Sequence, residues 1–211
     1  SFFVPLMITA FYYTEQARWL PASLFLMLAA STREDAVIAI ASLGITLLIL
    51  KSSGPKQEEK TFWTPRRILG ISISIIASIY FILSIKLLMP AFGGGLLRID
   101  RYAQFGSSIS EIIQTILKNP QLLLETIFTK QKLIYLLWLF APIAFLPLFS
   151  GRISLLLVPG LLENLLTDFP LQFSGIYQYD SVLIPGIFIC SIYGVNTLLK
   201  YCSHWGKLYL K

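Results

Sequence analysis

Residues 68–89 read ILGISISIIASIYFILSIKLLM, 22 residues whose one charged side chain, Lys86, comes near the end. At about 1.5 Å of rise per residue they make roughly 33 Å of helix, against a hydrocarbon core about 30 Å thick. A segment of that length and apolarity spans a bilayer. The whole chain agrees, since 211 residues that are 55% hydrophobic and 13% charged are too apolar for a soluble domain of this size. The composition therefore predicts an all-α fold, a polytopic bundle of transmembrane helices.

Working outward, apolar stretches near 2–13, 20–31, 36–50, 133–149, 153–166 and 182–200 bring the expected total to about six to seven membrane segments. Several are short enough to be tilted spans, re-entrant pieces or buried helices. Flanking charge orients them. The loop at 51–67 carries Lys51, Lys56, Lys60, Arg66 and Arg67, and the tail carries Lys200, Lys207 and Lys211. The positive-inside rule makes that loop and the basic tail 201–211 cytoplasmic. Alternation then puts 31–35, the long loop 90–132 with its short helices, and 168–180 outside, with Arg18 and Arg152 inside. Residues 1–211 read as one integral membrane domain. The chain opens at Ser1 within an apolar stretch, with no basic n-region or cleavage site, so it is expected to be the C-terminal part of a longer protein.

The same composition narrows the function. A net charge of +6 is accounted for by loops facing anionic lipid and is not read as a nucleic-acid footprint. Cys190 and Cys202 have neither the number nor the spacing of a disulfide framework or a zinc site. His204, beside Trp205 and Lys207, reads as an interfacial anchor, and Lys86 as a side chain that snorkels to the interface. Gly70, Ser74 and Ser78, and again Gly186, Cys190 and Gly194, recur at four-residue spacing and predict flat stripes for close helix packing.

Polar residues collect at the outer ends of the spans. Arg33, Glu34 and Asp35 form a short turn with two readings: a capping box of Ser31 with Glu34, or a triplet that positions a substrate, a base or a divalent metal. Gly93, Gly94 and Gly95 precede Arg98, Asp100, Arg101 and Tyr102, and Ser108 with Glu111 then opens a helix. Glycines, arginines and a helix N-terminus are the parts of a phosphate site, though Arg98 stands where a dinucleotide fingerprint has its last glycine. A helix from Asn119 to Lys132, with Leu122, Leu123, Ile127 and Phe128 mainly on one side, lies in the interface or covers the bundle. A third cluster combines Glu163, Asn164 and Asp168 with Tyr177, Gln178, Tyr179 and Asp180. The tyrosines also suit an aromatic belt.

The strings TRED, MPAFGGG, RYAQFG, KLIYLLWLFAPIAFLPLFS, LLLVPGLLENLLTDFP and YQYDSVLIPGIF resemble the prokaryotic membrane proteins of domain-of-unknown-function family 2079 over nearly the whole chain. Ile176 stands where that family often has a histidine. The family is similar in design to the GT-C glycosyltransferases, which take a sugar from a polyprenyl-phosphate donor at the outer face of the membrane. The resemblance implies a multi-pass protein of the prokaryotic inner membrane, surrounded by lipid and by other helices of the full-length chain. It implies Glu34 and Asp35 as catalytic or acceptor-orienting groups, and Arg33, Arg98, Asp100, Arg101, Tyr102, Glu163, Tyr177 and Gln178 as substrate contacts. The principal catalytic acid would precede Ser1. Alternative readings are a transporter or flippase for lipid-linked or small polar substrates, and a non-catalytic scaffold. Transport would call for polar groups deep within several spans and for broken helices.

Overall fold

The computed structural model describes residues 2–32, 36–49, 63–88, 91 and 99–209, and among them every regular element is helical. Three short helices come first: α1 (Phe3–Glu15), α2 (Trp19–Ala30) and α3 (Ala36–Ile49). They are followed by α4 (Pro65–Leu83), extended by a π-helical turn at Ser84–Leu88. A 3-10 turn at Ile99–Tyr102 leads to α5 (Ile109–Lys118), α6 (Pro120–Ile127) and α7 (Lys130–Phe140). Three more 3-10 turns, Ala141–Ile143, Leu146–Phe149 and Gly151–Leu157, precede α8 (Val158–Leu166). The turns Pro170–Phe173 and Gln178–Val182 then lead into α9 (Ile184–Tyr209).

The 68–89 stretch behaves as its composition dictates. Thr64 caps α4 by accepting from the Arg67 backbone N–H at 3.4 Å, and Pro65 takes the first helical position, where its missing N–H costs nothing. Of the described helices this 19-residue one is long and apolar enough to cross a membrane. Its flank carries exposed Ile75, Ile76, Ile79, Ile82 and Leu83, an apolar surface that only lipid or another helix would tolerate. The opposite flank meets α3. A Cβ at Gly70 would lie 2.7 Å from the Gly44 carbonyl oxygen, so the two backbones touch. Ser74 Oγ donates to the Gly70 carbonyl at 2.9 Å, as a small-residue stripe permits. Ser78 is exposed, and Ala77 takes the next buried place instead.

The second stripe packs on backbone that is not α-helical. A Cβ on Gly186 would lie 3.2 Å from the Leu156 carbonyl oxygen, and one on Gly194 would lie 2.8 Å from the Leu146 carbonyl carbon. Between them the Cys190 thiol donates to the Ile153 carbonyl at 3.4 Å. From the other side, the Ser42 hydroxyl of α3 donates to the Leu155 carbonyl at 2.9 Å. The stretches 133–149 and 153–166, expected as continuous segments, are α-helical only to Phe140 and again from Val158. Pro142 and Pro147 remove backbone donors and clash with the preceding turn. Ala144 and Phe145, with φ of 51° and 55°, add a left-handed bend that side chains with a Cβ adopt only under constraint.

The helices share two ends. At the lower end the Arg152 guanidinium donates to the Ile49 carbonyl, and Glu15 pairs with Arg66. The upper end holds the 99–106 turn, the end of α8 and the 170–182 stretch. Phe3, Leu43, Leu47, Ile153 and Leu183 are fully buried between the two ends.

Replacing Gly70 with Leu would force α3 and α4 apart. It should lower stability by about 1–3 kcal/mol, whereas Ile76→Leu on the exposed flank should stay within about 0.5 kcal/mol. Thermal unfolding in detergent micelles measures both.

Candidate functional site

At the upper end the site is built around the end of α8. The last carbonyls of a helix lack intrahelical donors, and here side chains from two other segments supply them. Tyr102 donates its hydroxyl to the Glu163 carbonyl at 3.1 Å, and Gln172 Nε2 donates to the same oxygen at 3.1 Å. Gln104 Nε2 donates to the Leu166 carbonyl at 2.6 Å. In return, the Asp168 backbone N–H donates to the Arg101 carbonyl at 2.8 Å. The 99–106 turn is thereby latched to α8 at both the side-chain and the backbone level.

Arg101 sits in the centre of this latch. Its guanidinium donates to Gln172 Oε1 at 2.8 Å and to the Tyr179 hydroxyl at 3.3 Å. It lies 4.2 Å from the centre of the Phe169 ring and 5.1 Å from that of Tyr179, within cation–π range. Among the described residues no carboxylate pairs with it. A cation held by neutral acceptors and ring faces keeps its full charge available for an anion.

Behind Arg101 lies a polar triangle. Tyr135 on α7 donates its hydroxyl to Asp180 Oδ1 at 2.6 Å, while Asn164 Nδ2 donates to the Tyr135 oxygen at 2.8 Å and to Asp180 Oδ1 at 3.1 Å. Burial holds the Asp180 carboxyl above the usual carboxylate range, outweighing the hydrogen bond from Tyr135 that lowers it. Asn164 is 1% exposed, and its Oδ1 is a buried acceptor with no donor in the structure. Lys132, 3% exposed, donates to the Thr126 carbonyl at 2.8 Å and lies 5.2 Å from the Phe173 ring centre.

The candidates from the sequence fall out unevenly. Arg101 and Tyr102 lie inside the latch. Glu163 contributes through its backbone oxygen, with a half-buried side chain. Asp100 is exposed in the same 3-10 turn. Tyr177 is half-exposed, with its ring centre 6.4 Å from that of Tyr179, and Gln178 is exposed at the start of the last turn. Arg33, Glu34, Asp35 and Arg98 lie outside the described residues. The helix that begins after the Arg33–Asp35 turn, α3, packs against α8. At the other side of that turn, the Ser31 hydroxyl donates back to the Leu28 carbonyl of α2 at 2.8 Å. Ser108 caps α5 as expected, accepting from the Glu111 N–H at 3.3 Å, while the Glu111 carboxylate reaches Ser107 rather than Ser108. Among the described residues no three His, Cys, Asp or Glu side chains converge as a metal site.

Sequence reasoning passed over Tyr135, Gln172 and Lys132. Their signal was a polar group interrupting an apolar run, as Tyr135 does in KLIYLLWLF and Gln172 in FPLQF. It also passed over a second cluster, at the lower end. There Glu15 of α1 pairs with Arg66 of α4 and accepts from the Tyr193 hydroxyl of α9 at 2.9 Å. Arg66 is 8% exposed, and its Nε has no acceptor among the described residues.

Helical throughout its described residues, with one helix long and apolar enough to cross a membrane and an exposed apolar flank on it, the chain has the features of a membrane protein. It belongs to the family described as "Predicted membrane protein (DUF2079)", whose family model matches residues 1–210. Neither a curated protein nor a solved structure matches the chain.

Removing the Asp180 carboxyl strands the Tyr135 hydroxyl and the Asn164 amide. Asp180→Ala should therefore cost about 1–3 kcal/mol in detergent unfolding, with Asp180→Asn retaining most of the stability. Because the folded-state pKa is raised, the contribution of Asp180 is full below its ordinary value of 3.8 and declines as pH rises through the raised one. A pH series of melting temperatures should show a decline that Asp180→Asn abolishes.

Proposed function

We propose that this chain is part of a GT-C-like transferase that moves a sugar from a polyprenyl-phosphate donor to an acceptor at the extracytoplasmic face. In this reading it forms a single domain of six to seven membrane segments in the inner membrane of a prokaryotic cell. The loop at 51–67 and the tail at 201–211 are cytoplasmic, and 90–132 is external. The observation that carries the reading is the Arg101 guanidinium, held by Gln172, Tyr179 and Phe169 without a paired carboxylate among the described residues.

The chemistry fits such a cation. An acceptor oxygen attacks the anomeric carbon, the bond from that carbon to the donor phosphate oxygen breaks, and its electron pair leaves with the lipid phosphate. The acceptor proton passes to a carboxylate. Negative charge grows on the leaving phosphate, and preorganised cations in a partly dehydrated site lower that barrier. Arg101 and Arg98 take the phosphate. Glu34 and Asp35 orient the acceptor or a divalent metal, while Arg33, Asp100, Tyr102, Glu163, Tyr177 and Gln178 line the pocket.

A transporter for lipid-linked or small polar substrates is the second reading. It is supported by the buried Arg66, paired with Glu15 beside Tyr193, and by the helix break at 141–157, features that transport sites share. In the full-length protein, Arg98→Ala and Arg101→Ala should each cut turnover of a polyprenyl-phosphate sugar by about 100-fold without loss of folding. Unchanged turnover in both variants would sink the phosphate assignment. Substrate flux into proteoliposomes without glycosyl transfer would establish the second reading.

A further inference from the structure

α5 carries isoleucine or leucine at 109, 112, 113, 116 and 117, and Ser110, Glu111, Gln114, Thr115 and Lys118 at every other position. At about 100° per residue the apolar set fills one continuous arc of about 140°, and the polar set fills the remainder. No side chain mixes the two faces. An arc so cleanly apolar is made to be covered, yet α5 has no buried residue. Ile109 is 43% exposed, Ile113 53% and Leu117 77%. Its principal neighbour is α6, itself a short helix.

Exposed apolar side chains recur further along the chain, at Leu124 of α6 and Phe128 just beyond it, 54% and 62% exposed, and at Leu137 and Trp138 of α7, 55% and 76% exposed. The flank of α7 bearing Ile134, Leu137 and Trp138 lies opposite Lys132 and Tyr135, which face the protein, so it is the flank turned to lipid. Lys118 and Lys130 are exposed where α5 meets α6 and where α7 begins, positioned for anionic headgroups. Capping fixes α5 as a helix in its own right, through Ser108 and through the Glu111 carboxylate on Ser107 at 2.8 Å.

We propose that α5 is an interfacial anchor lying in the plane of the membrane, with Ile109, Ile113 and Leu117 inserted among the acyl chains of the leaflet at the upper end. Lys118 and the polar face meet the headgroups. The occupant of the apolar arc is lipid, because the chain belongs to a membrane-protein family, the same apolar exposure recurs on the uncovered flank of α7, and exposed Lys118 and Lys130 suit anionic headgroups. The anchor holds the connection between α4 and α7 at a fixed depth, and with it the 99–106 turn that carries Arg101. It stands independently of the transferase and transport readings.

The test uses the whole chain with Cys202→Ser, leaving the buried Cys190 in place, reconstituted in vesicles of phosphatidylcholine and phosphatidylglycerol. Single cysteines introduced by Ile113→Cys, Leu117→Cys, Ser110→Cys and Gln114→Cys carry a nitroxide label. Labels at 113 and 117 should collide severalfold more with dissolved oxygen than with a water-soluble nickel chelate, and labels at 110 and 114 should show the reverse. Preference for the nickel chelate at 113 and 117 would place the arc in water and overturn the proposal. Protection from both reagents would do the same, assigning the arc to another protein surface.

Discussion

Backbone that leaves the α-helix has polar groups that must find partners where protein buries them, and the 141–157 stretch imposes that condition on everything around it. Two of its carbonyls receive hydrogen bonds, one from α9 and one from α3. Gly186 and Gly194 let α9 come against Leu156 and Leu146, the Cys190 thiol reaches Ile153, and Ser42 reaches Leu155 from the other side. Without small side chains at these places the segment would be held off from α9. The placement of α3 and α9, and through α3 that of α4, follows from this requirement.

The upper end solves a related problem at a helix terminus. Unpaired carbonyls at the end of α8 carry partial negative charge, which draws donors and cations to them. Tyr102, Gln104 and Gln172 supply the donors, and Arg101 supplies a cation that no carboxylate pairs among the described residues. The same turn thus caps a helix end and holds a half-buried guanidinium against neutral acceptors and ring faces.

Much of this was readable from local pattern. The long apolar helix, the Gly186–Cys190–Gly194 stripe and the Ser108 cap each rest on neighbours within a few positions and formed, whereas the first stripe kept Gly70 and Ser74 but lost Ser78 to Ala77. Arg101 and Tyr102 were picked out by their glycine-rich, arginine-bearing context. Glu163 was chosen for its carboxylate, whereas its carbonyl joins the latch, a distinction that depends on where a helix ends. The break after Phe140 was visible as Pro142 and Pro147, but an unbroken apolar composition argued for continuity. Pairings such as Tyr135 with Asp180, or Glu15 with Arg66, leave no local mark, because they join residues that only the fold brings together. Phe128 turned outward instead of joining Leu122 and Leu123, since α6 is too short to keep one face covered along its length.

The ion pair of Glu15 and Arg66 also bears on how the chain is made. Glu15 is synthesised 51 residues before its cation and 178 residues before the Tyr193 hydroxyl that shares it. The three-way contact cannot close until all three helices that carry it have been synthesised. Seating α1 against α4 and α9 is then a late event, completed only after α9 has been made. The order of synthesis and the order of assembly differ, and Glu15 is the residue that separates them.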